Sequence, residues 1–204
     1  MGLDSLVLDP NQRGFLDFEK LFSIRANTPI VALDTAQMRI LNKDSVAIAF
    51  SSSLDTLKNK IDLRFDLEPN GSYFLDVLPG GIKDFYGETN DTLNYQLSTK
   101  SLADFGNLQF SLTGAVSYPL IMQLTDESGD VVREIYATEP KTFQFNYLEP
   151  ANYFARVIFD ANGNKQWDTG NLLKKIQPEK ISYYPGSIEM RANWEKIETF
   201  TVLE

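Results

Sequence analysis

The chain has 204 residues, with 28 acidic and 19 basic side chains and a formal net charge of −9. A negative field of this size repels nucleic acid and anionic lipid, so neither is an expected partner. The sequence contains no His and no Cys, which excludes Ser-His-Asp and Cys-His catalysis, thiol redox chemistry and ordinary zinc sites.

Hydrophobic residues make up 43% of the chain and aromatic residues 12%, which is enough apolar material for packed cores. No window approaches the roughly 18 consecutive apolar residues of a membrane-spanning helix, so we expect no direct membrane insertion by this chain. The opening at Met1-Gly2 lacks the basic and apolar regions of a signal peptide. Met1-Gly2 fits either a genuine start or an expression scar on an excised fragment, so this lack carries little weight. We favour the second interpretation, in which the chain is part of a larger protein.

Alternating apolar and polar residues predict short, half-buried strands in the first half of the chain. Turn sequences rich in Gly, Asn and Pro separate them, at 68–72 and 78–81. The alternating runs are Val46-Ile48-Phe50, Ile61-Leu63-Phe65-Leu67, Tyr73-Leu75-Val77 and Leu93-Tyr95-Leu97.

Three carboxylates, Asp84, Glu88 and Asp91, fall within one loop of the first half. A glycosidase needs two carboxyl groups about 5–9.5 Å apart across a cleft. Carboxylates in a single turn more often accept hydrogen bonds from backbone amides. We interpret this loop as structural and predict that the chain is not an enzyme.

A module boundary is predicted at 98–108, where one alternating run ends at Leu97 and the next begins at Leu108. The predicted modules are residues 1–102 and 103–204. The later runs are Leu108-Phe110-Leu112, Leu120-Met122-Leu124, Phe143-Phe145-Tyr147, Tyr153-Ala155-Val157-Phe159 and Ile188-Met190-Ala192. Short strands at this spacing predict an all-β chain made of two antiparallel β-sandwich modules in tandem.

The segment 160–168 places oxygen-bearing side chains at alternate positions, as a calcium loop does. The candidate ligands are Asp160, Asn162, Asn164 and Asp168. Against this hypothesis, Lys165 occupies the sixth position, where a calcium loop has Gly, and Asn171 stands where a bidentate Glu would close the shell. An Asn-Gly pair is also a strong hairpin signal that requires no metal. Both interpretations stay open, and calcium is the single cofactor considered.

Four aromatic residues near this segment are candidates for a ligand platform or for the core. Trp167, Tyr183 and Tyr184 lie in turn-like sequence, where flat rings could stack on a sugar or on another protein. Trp194 continues the alternation of Ile188 and Met190, which predicts that it packs in the core.

Two stretches resemble known β-sandwich families. The first module, with YFLDVLPGGIKDFYGETNDTLNYQLSTK at 73–100, resembles the bacterial Ig-like domain of surface-layer type. The second, with LIMQLTDESGDVVRE at 120–134 and FQFNYLEPANYFARVIFD at 143–160, resembles the transthyretin-like or carboxypeptidase-regulatory-like sandwich. The order of both modules, followed by WDTGN, QPEK and YYPGSIEMRANWE, resembles Ig-like-domain-containing lipoproteins of Gram-negative envelopes.

The resemblance implies a non-catalytic structural or adhesion module of the cell envelope, at the outer-membrane surface or in the periplasm. Its expected partners are neighbouring domains of the parent protein and a surface glycan or protein. The alternative hypothesis is a carbohydrate-binding module with Trp167, Tyr183 and Tyr184 as its platform and calcium beside it.

Overall fold

A computed structural model describes residues 5–170, 172–173 and 175–202. The chain divides into two compact units, Met1–Ser101 and Leu102–Glu204. The described residues form strands and two short 3-10 helices, Thr35–Gln37 and Leu102–Asp104, and they include no α-helix. The all-β fold class predicted from alternation is therefore confirmed.

Eleven strands form the described part of the first unit. They are β1 (Leu8–Pro10), β2 (Gly14–Phe15), β3 (Phe22–Ala26), β4 (Ile30–Leu33), β5 (Met38–Asn42), β6 (Ala47–Ile48), β7 (Phe50–Asp55), β8 (Lys60–Phe65), β9 (Ser72–Val77), β10 (Ile82–Asp84) and β11 (Leu93–Ser98).

Two main sheets of the first unit enclose one hydrophobic core. One has the strand order β1-β3-β8-β7 and the other β2-β11-β9-β5-β6, while β4 and β10 form a separate pair. Ile24 and Ile61 from the first sheet and Leu75 and Val77 from the second are fully buried in the same cluster. Burial of one face of each sheet explains the period-two pattern of the sequence.

Eight strands form the second unit where the structure describes it. They are β12 (Gly106–Gly114), β13 (Leu120–Thr125), β14 (Val131–Ala137), β15 (Phe143–Leu148), β16 (Ala151–Phe159), β17 (Ile181–Tyr183), β18 (Ile188–Met190) and β19 (Glu195–Val202).

The second unit repeats the two-sheet plan with a more aromatic core. Its sheets have the strand orders β15-β12-β19 and β14-β13-β16-β17, and β18 also pairs with β16. Phe110, Phe143 and Phe200 come from the first sheet and are fully buried. They pack in one cluster with Met122 and Val157 of the second sheet. The two sheets therefore form a sandwich.

Two of the strand pairs in the described part of the chain are parallel, which the sequence did not indicate. β2 lies parallel to β11 over two residues, and β12 lies parallel to β19 from Asn107↔Glu195 to Gly114↔Val202. In the second unit the first and last strands are therefore neighbours. The remaining pairs are antiparallel.

No helix among the described residues has the length and apolar character needed to cross a membrane.

Candidate functional site

The 160–180 connection leaves the sheet at the end of β16 and returns to it at β17. Asp160 is its first residue, and the Asp160 backbone N–H donates to the carbonyl of Pro119 at 3.1 Å. Strands β16 and β17 then pair antiparallel, with Ile158 opposite Ile181. The connection is therefore a long hairpin loop anchored on the sheet at both ends.

The Asp160 carboxylate is fully buried and organises the start of this loop. Its Oδ1 accepts from the backbone N–H groups of Gly163 and Asn164 at 2.8 and 3.1 Å, and its Oδ2 accepts from that of Lys165 at 2.8 Å. The Tyr136 hydroxyl is a further partner. Burial raises the pKa of Tyr136, and the charge of Asp160 and the hydrogen bond to it raise that pKa further.

The other candidate calcium ligands do come together. The side-chain amides of Asn162 and Asn164 both donate to Asp168 Oδ2, the second at 2.7 Å. Their Oδ1 atoms accept backbone N–H groups two residues further on, those of Asn164 and Gln166, at 2.9 and 2.8 Å. These contacts are consecutive Asx turns that close on one carboxylate oxygen.

Glu179 completes the loop from its far end. Its Oε1 accepts from the Ala161 backbone N–H at 2.8 Å, and its Oε2 accepts from that of Asp168 at 3.1 Å. The indole N–H of Trp167 donates to the Glu179 carbonyl at 3.3 Å. Glu179 was not predicted from the sequence, because its partners lie 11 to 18 residues away and no local pattern marks it.

Calcium takes six to eight oxygen ligands. In this arrangement the Asp160 oxygens face backbone donors, and the amide nitrogens of Asn162 and Asn164 face Asp168. No group of three or more acidic side chains that could hold a metal occurs among the described residues. Asn171 lies outside the described residues. These contacts match those expected of the hairpin, and the calcium hypothesis stays a prediction.

The three candidate platform residues are placed differently from one another. Trp167 and Tyr183 are 46% and 65% exposed. Tyr184 instead packs edge-on against Phe110 and Phe200, with ring centroids 5.4 and 5.5 Å away. Its hydroxyl donates to Glu198 at 2.8 Å. The structure therefore assigns Tyr184 to the core cluster of the second unit and leaves Trp167 and Tyr183 exposed.

Trp194 does not occupy the core position that alternation predicted. It is 40% exposed, and the Arg191 guanidinium lies 4.9 Å from its ring centroid. The reason is a turn after β18, in which Asn193 has a positive φ of 58°. This turn breaks the alternation that runs through Ile188 and Met190, so Trp194 stacks on Arg191 at the surface.

A second buried carboxylate organises a loop of the first unit. Asp84 is 1% exposed. It accepts from the Thr28 hydroxyl at 2.9 Å and from the backbone N–H groups of Tyr86 and Glu88 at 2.9 and 2.8 Å. Asp84 therefore fixes the shape of its loop, which is the structural role that the sequence predicted for this loop. Asp84 and Asp160 are the two buried carboxylates of the described residues.

No protein-family model and no curated protein matches the chain. Among solved structures, the N-terminal part of the bacterial S-layer protein SbsC is 11% identical, over 95% of this chain and 44% of that chain, with a TM-score of 0.43. Alpha-2-macroglobulin from Escherichia coli, spanning domains MG0-NIE-MG1, is 10% identical over 93% and 91%, with a TM-score of 0.40. BcpA, the major pilin subunit of Bacillus cereus, is 8% identical over 97% and 70%, with a TM-score of 0.33. This chain thus spans less than half of the SbsC structure, and similarity at this level assigns it neither a family nor a function.

Proposed function

We propose that this chain is a non-catalytic structural module of an exported bacterial surface protein, in which it serves as a spacer or an adhesion segment. The observation that supports this proposal is that the two buried carboxylates accept hydrogen bonds from groups of the chain itself. Asp160 accepts from backbone donors of its own loop, and Asp84 accepts from two backbone donors of its own loop and from the distant Thr28 hydroxyl. A catalytic carboxylate needs an oxygen open to substrate, whereas these two fix the shape of turns.

The finer assignment rests on the resemblance of the sequence. We propose that residues 1–102 form an Ig-like module of surface-layer type and residues 103–204 a transthyretin-like module. The parent protein is then an envelope lipoprotein of a Gram-negative bacterium, located at the outer-membrane surface or in the periplasm. The first partners of the chain are the neighbouring domains of that protein.

Location is tested by treating intact source cells with a protease and detecting the chain with an antibody. We expect the chain to be degraded in intact cells while a periplasmic marker survives. Degradation only after the outer membrane is opened would place the chain in the periplasm. Protection after that step as well would contradict an envelope location.

Adhesion is separated from a spacer role by retention of the purified chain on intact cells or extracellular matrix. A copy of the chain unfolded by heat serves as the control. Retention above that control supports adhesion, and its absence supports the spacer. Turnover of any substrate in a broad panel of glycosides and esters would contradict the non-catalytic assignment.

A carbohydrate-binding role is the second candidate, and the placement of Trp167 favours it. The hydrogen bond to the Glu179 carbonyl restrains an indole that stays 46% exposed, and a restrained exposed ring suits stacking on a sugar. A glycan array followed by titration of tryptophan fluorescence tests this role. We expect Trp167→Ala to abolish any binding and Trp194→Ala to leave it intact. Binding that survives Trp167→Ala would contradict the hypothesis that Trp167 stacks on the sugar.

A further inference from the structure

The 160–180 connection carries apolar side chains that project into solvent. Leu172 and Leu173 are 93% and 96% exposed, and Ile176 is 57% exposed. Lys175 lies in the same turn, and its backbone N–H donates to the Leu172 carbonyl at 3.2 Å. We call these four residues the leucine tip. Single exposed leucines are common, but adjacent apolar side chains this exposed are typical of a contact surface.

The first unit contains a cleft of complementary chemistry. The cleft lies between the turn after β5 and the segment that precedes β9. Its volume of about 410 Å³ is within the usual range of about 300–1,000 Å³ for a binding pocket. Carboxylates and apolar side chains share its lining. We call it the acidic cleft and define it by Asp44, Asp66, Glu68, Ile48, Pro69 and Tyr73.

The carboxylates of the acidic cleft are available to a cationic partner. Asp44, Asp66 and Glu68 are exposed, and none of them takes part in an ion pair within the part of the chain that the structure describes. One cation, Lys43, lines the same cleft. A partner that brings apolar side chains together with a positive charge would match both the apolar and the acidic lining.

The leucine tip has this chemistry, because Leu172 and Leu173 lie beside the cationic Lys175. We propose that copies of this chain associate head to tail, with the leucine tip of one copy seated in the acidic cleft of another. A second copy is the favoured occupant because one chain carries both halves of the contact, which gives every copy a complementary partner. Such a contact is heterologous, so each added copy presents a further cleft and a further tip.

The test is sedimentation velocity of the full chain from about 10 μM to about 1 mM, a range that covers weak association. We expect reversible association that continues beyond the dimer. Leu172→Ser/Leu173→Ser removes the tip, and Asp66→Lys/Glu68→Lys reverses the charge of the cleft. Each variant should weaken self-association by about tenfold or more, since apolar burial or charge complementarity is lost.

An equimolar mixture of the two variants is the decisive sample. The tip variant keeps an intact cleft and the cleft variant keeps an intact tip, so the mixture can form one productive contact per pair. We expect a dimer that does not grow, from two chains that each associate only weakly when alone. A face-to-face dimer of identical surfaces would not give this result.

Two matched controls separate the proposal from general changes in apolarity and charge. Leu57→Ser/Ile197→Ser removes two other exposed apolar side chains, which are 96% and 73% exposed. Asp130→Lys/Glu139→Lys reverses two exposed charges of the second unit. Both controls should associate as the unsubstituted chain does, and thermal unfolding should show that all four variants are folded.

Three results overturn the proposal. They are a chain that stays monomeric up to about 1 mM, self-association that is unchanged in either the tip or the cleft variant, and a mixture of those variants that stays monomeric. If the chain stays monomeric, the partner of the leucine tip is a different molecule. If self-association is unchanged in either variant, the contact between copies lies on another surface.

Discussion

At the start of the 160–180 connection, the Asp160 carboxylate accepts hydrogen bonds from three backbone amides in a fully buried position. Asp160→Ala leaves these donors without an acceptor, and each unsatisfied buried donor is costly. We expect the free energy of unfolding of the second unit to fall by about 3 kcal/mol, measured by urea denaturation. Asp126→Ala removes a comparable turn acceptor from an exposed loop and should cost about 1 kcal/mol or less. Equal losses would contradict the assigned role of Asp160.

Asp76 of β9 links three neighbouring strands. Arg39 donates to it at 2.8 Å and Asn94 at 2.6 Å. The hydrogen bond from Arg39 lowers the pKa of Asp76 below its ordinary 3.8, burial opposes this, and Asn94 and the Arg39 charge add to the lowering. Because the folded pKa is depressed, the stabilisation is present above pH 3.8 and is lost as the pH falls through the folded value.

Asp76→Asn tests this linkage. At pH 7 we expect the free energy of unfolding of the first unit to fall by about 0.5 kcal/mol, as for other pairs near a protein surface. The difference from the unsubstituted chain should shrink as the pH is lowered below 3.8, because Asp76 then becomes protonated in the folded state. Asp9→Asn, in an exposed pair with Arg13, should change little at either pH. A difference that persists in acid would contradict the linkage.

The calcium hypothesis for the 160–168 loop makes a separate prediction. An ion that binds the folded state alone raises Tm through mass action. Millimolar calcium should therefore raise the Tm of the second unit, and Asp168→Ala should abolish the rise. Magnesium at the same concentration is the control, since it prefers a smaller octahedral site. If calcium leaves the Tm unchanged, the result contradicts the calcium hypothesis and supports a structural hairpin.

Individual residues of the candidate site were predictable only where their partners are local. Asn162 and Asn164 bond within six positions, so their alternate spacing already implied a folded loop. The contacts of Glu179 and the packing of Tyr184 against Phe200 depend on segments far away in the chain. Local spacing cannot reveal contacts of that kind.

The long strand β19 has one face turned to the core and one turned to solvent. Phe200 is fully buried, whereas Ile197 on the opposite face is 73% exposed. We expect Phe200→Ala to reduce the free energy of unfolding by about 3–5 kcal/mol, through lost burial and the cavity left behind. Ile197→Ala on the same strand should cost about 0.5 kcal/mol or less. Urea denaturation measures both, and comparable losses would contradict the assigned orientation of the strand.

Strands with one apolar face were the elements that the sequence predicted well. β8 and β9 coincide with alternating runs, because their polar residues lie on the less buried outer face. β13 and β16 also coincide with alternating runs, although β13 is buried on both faces, including Gln123 and Thr125. β19 was not predicted from the sequence, because its only alternating large apolar pair is Phe200 and Val202. A predicted run also joined Val46 to Phe50, although the structure separates β6 from β7 at this point. Strand pairing and register could not be predicted from local patterns, because paired strands such as β12 and β19 lie about 88 positions apart in the sequence.

For the whole molecule, the proposed modules 1–102 and 103–204 should each fold alone, because each unit has its own core cluster. Circular dichroism and dispersed amide NMR spectra of the two separate fragments test this. We expect folded spectra and one cooperative unfolding transition for each fragment. A fragment that is unfolded by itself while the full chain is folded would contradict the modular organisation.

The parallel pairing of β12 with β19 sets how the second unit responds to tension. Traction applied to the start of β12 and the end of β19 pulls two parallel neighbours along their length in opposite directions. The eight register pairs from Asn107↔Glu195 to Gly114↔Val202 then resist shear together, where antiparallel neighbours pulled from one end would open pair by pair. In the first unit the parallel contact joins the second strand, β2, to the last strand, β11, over two pairs. We therefore expect stretching along the chain to meet greater resistance in the second unit than in the first.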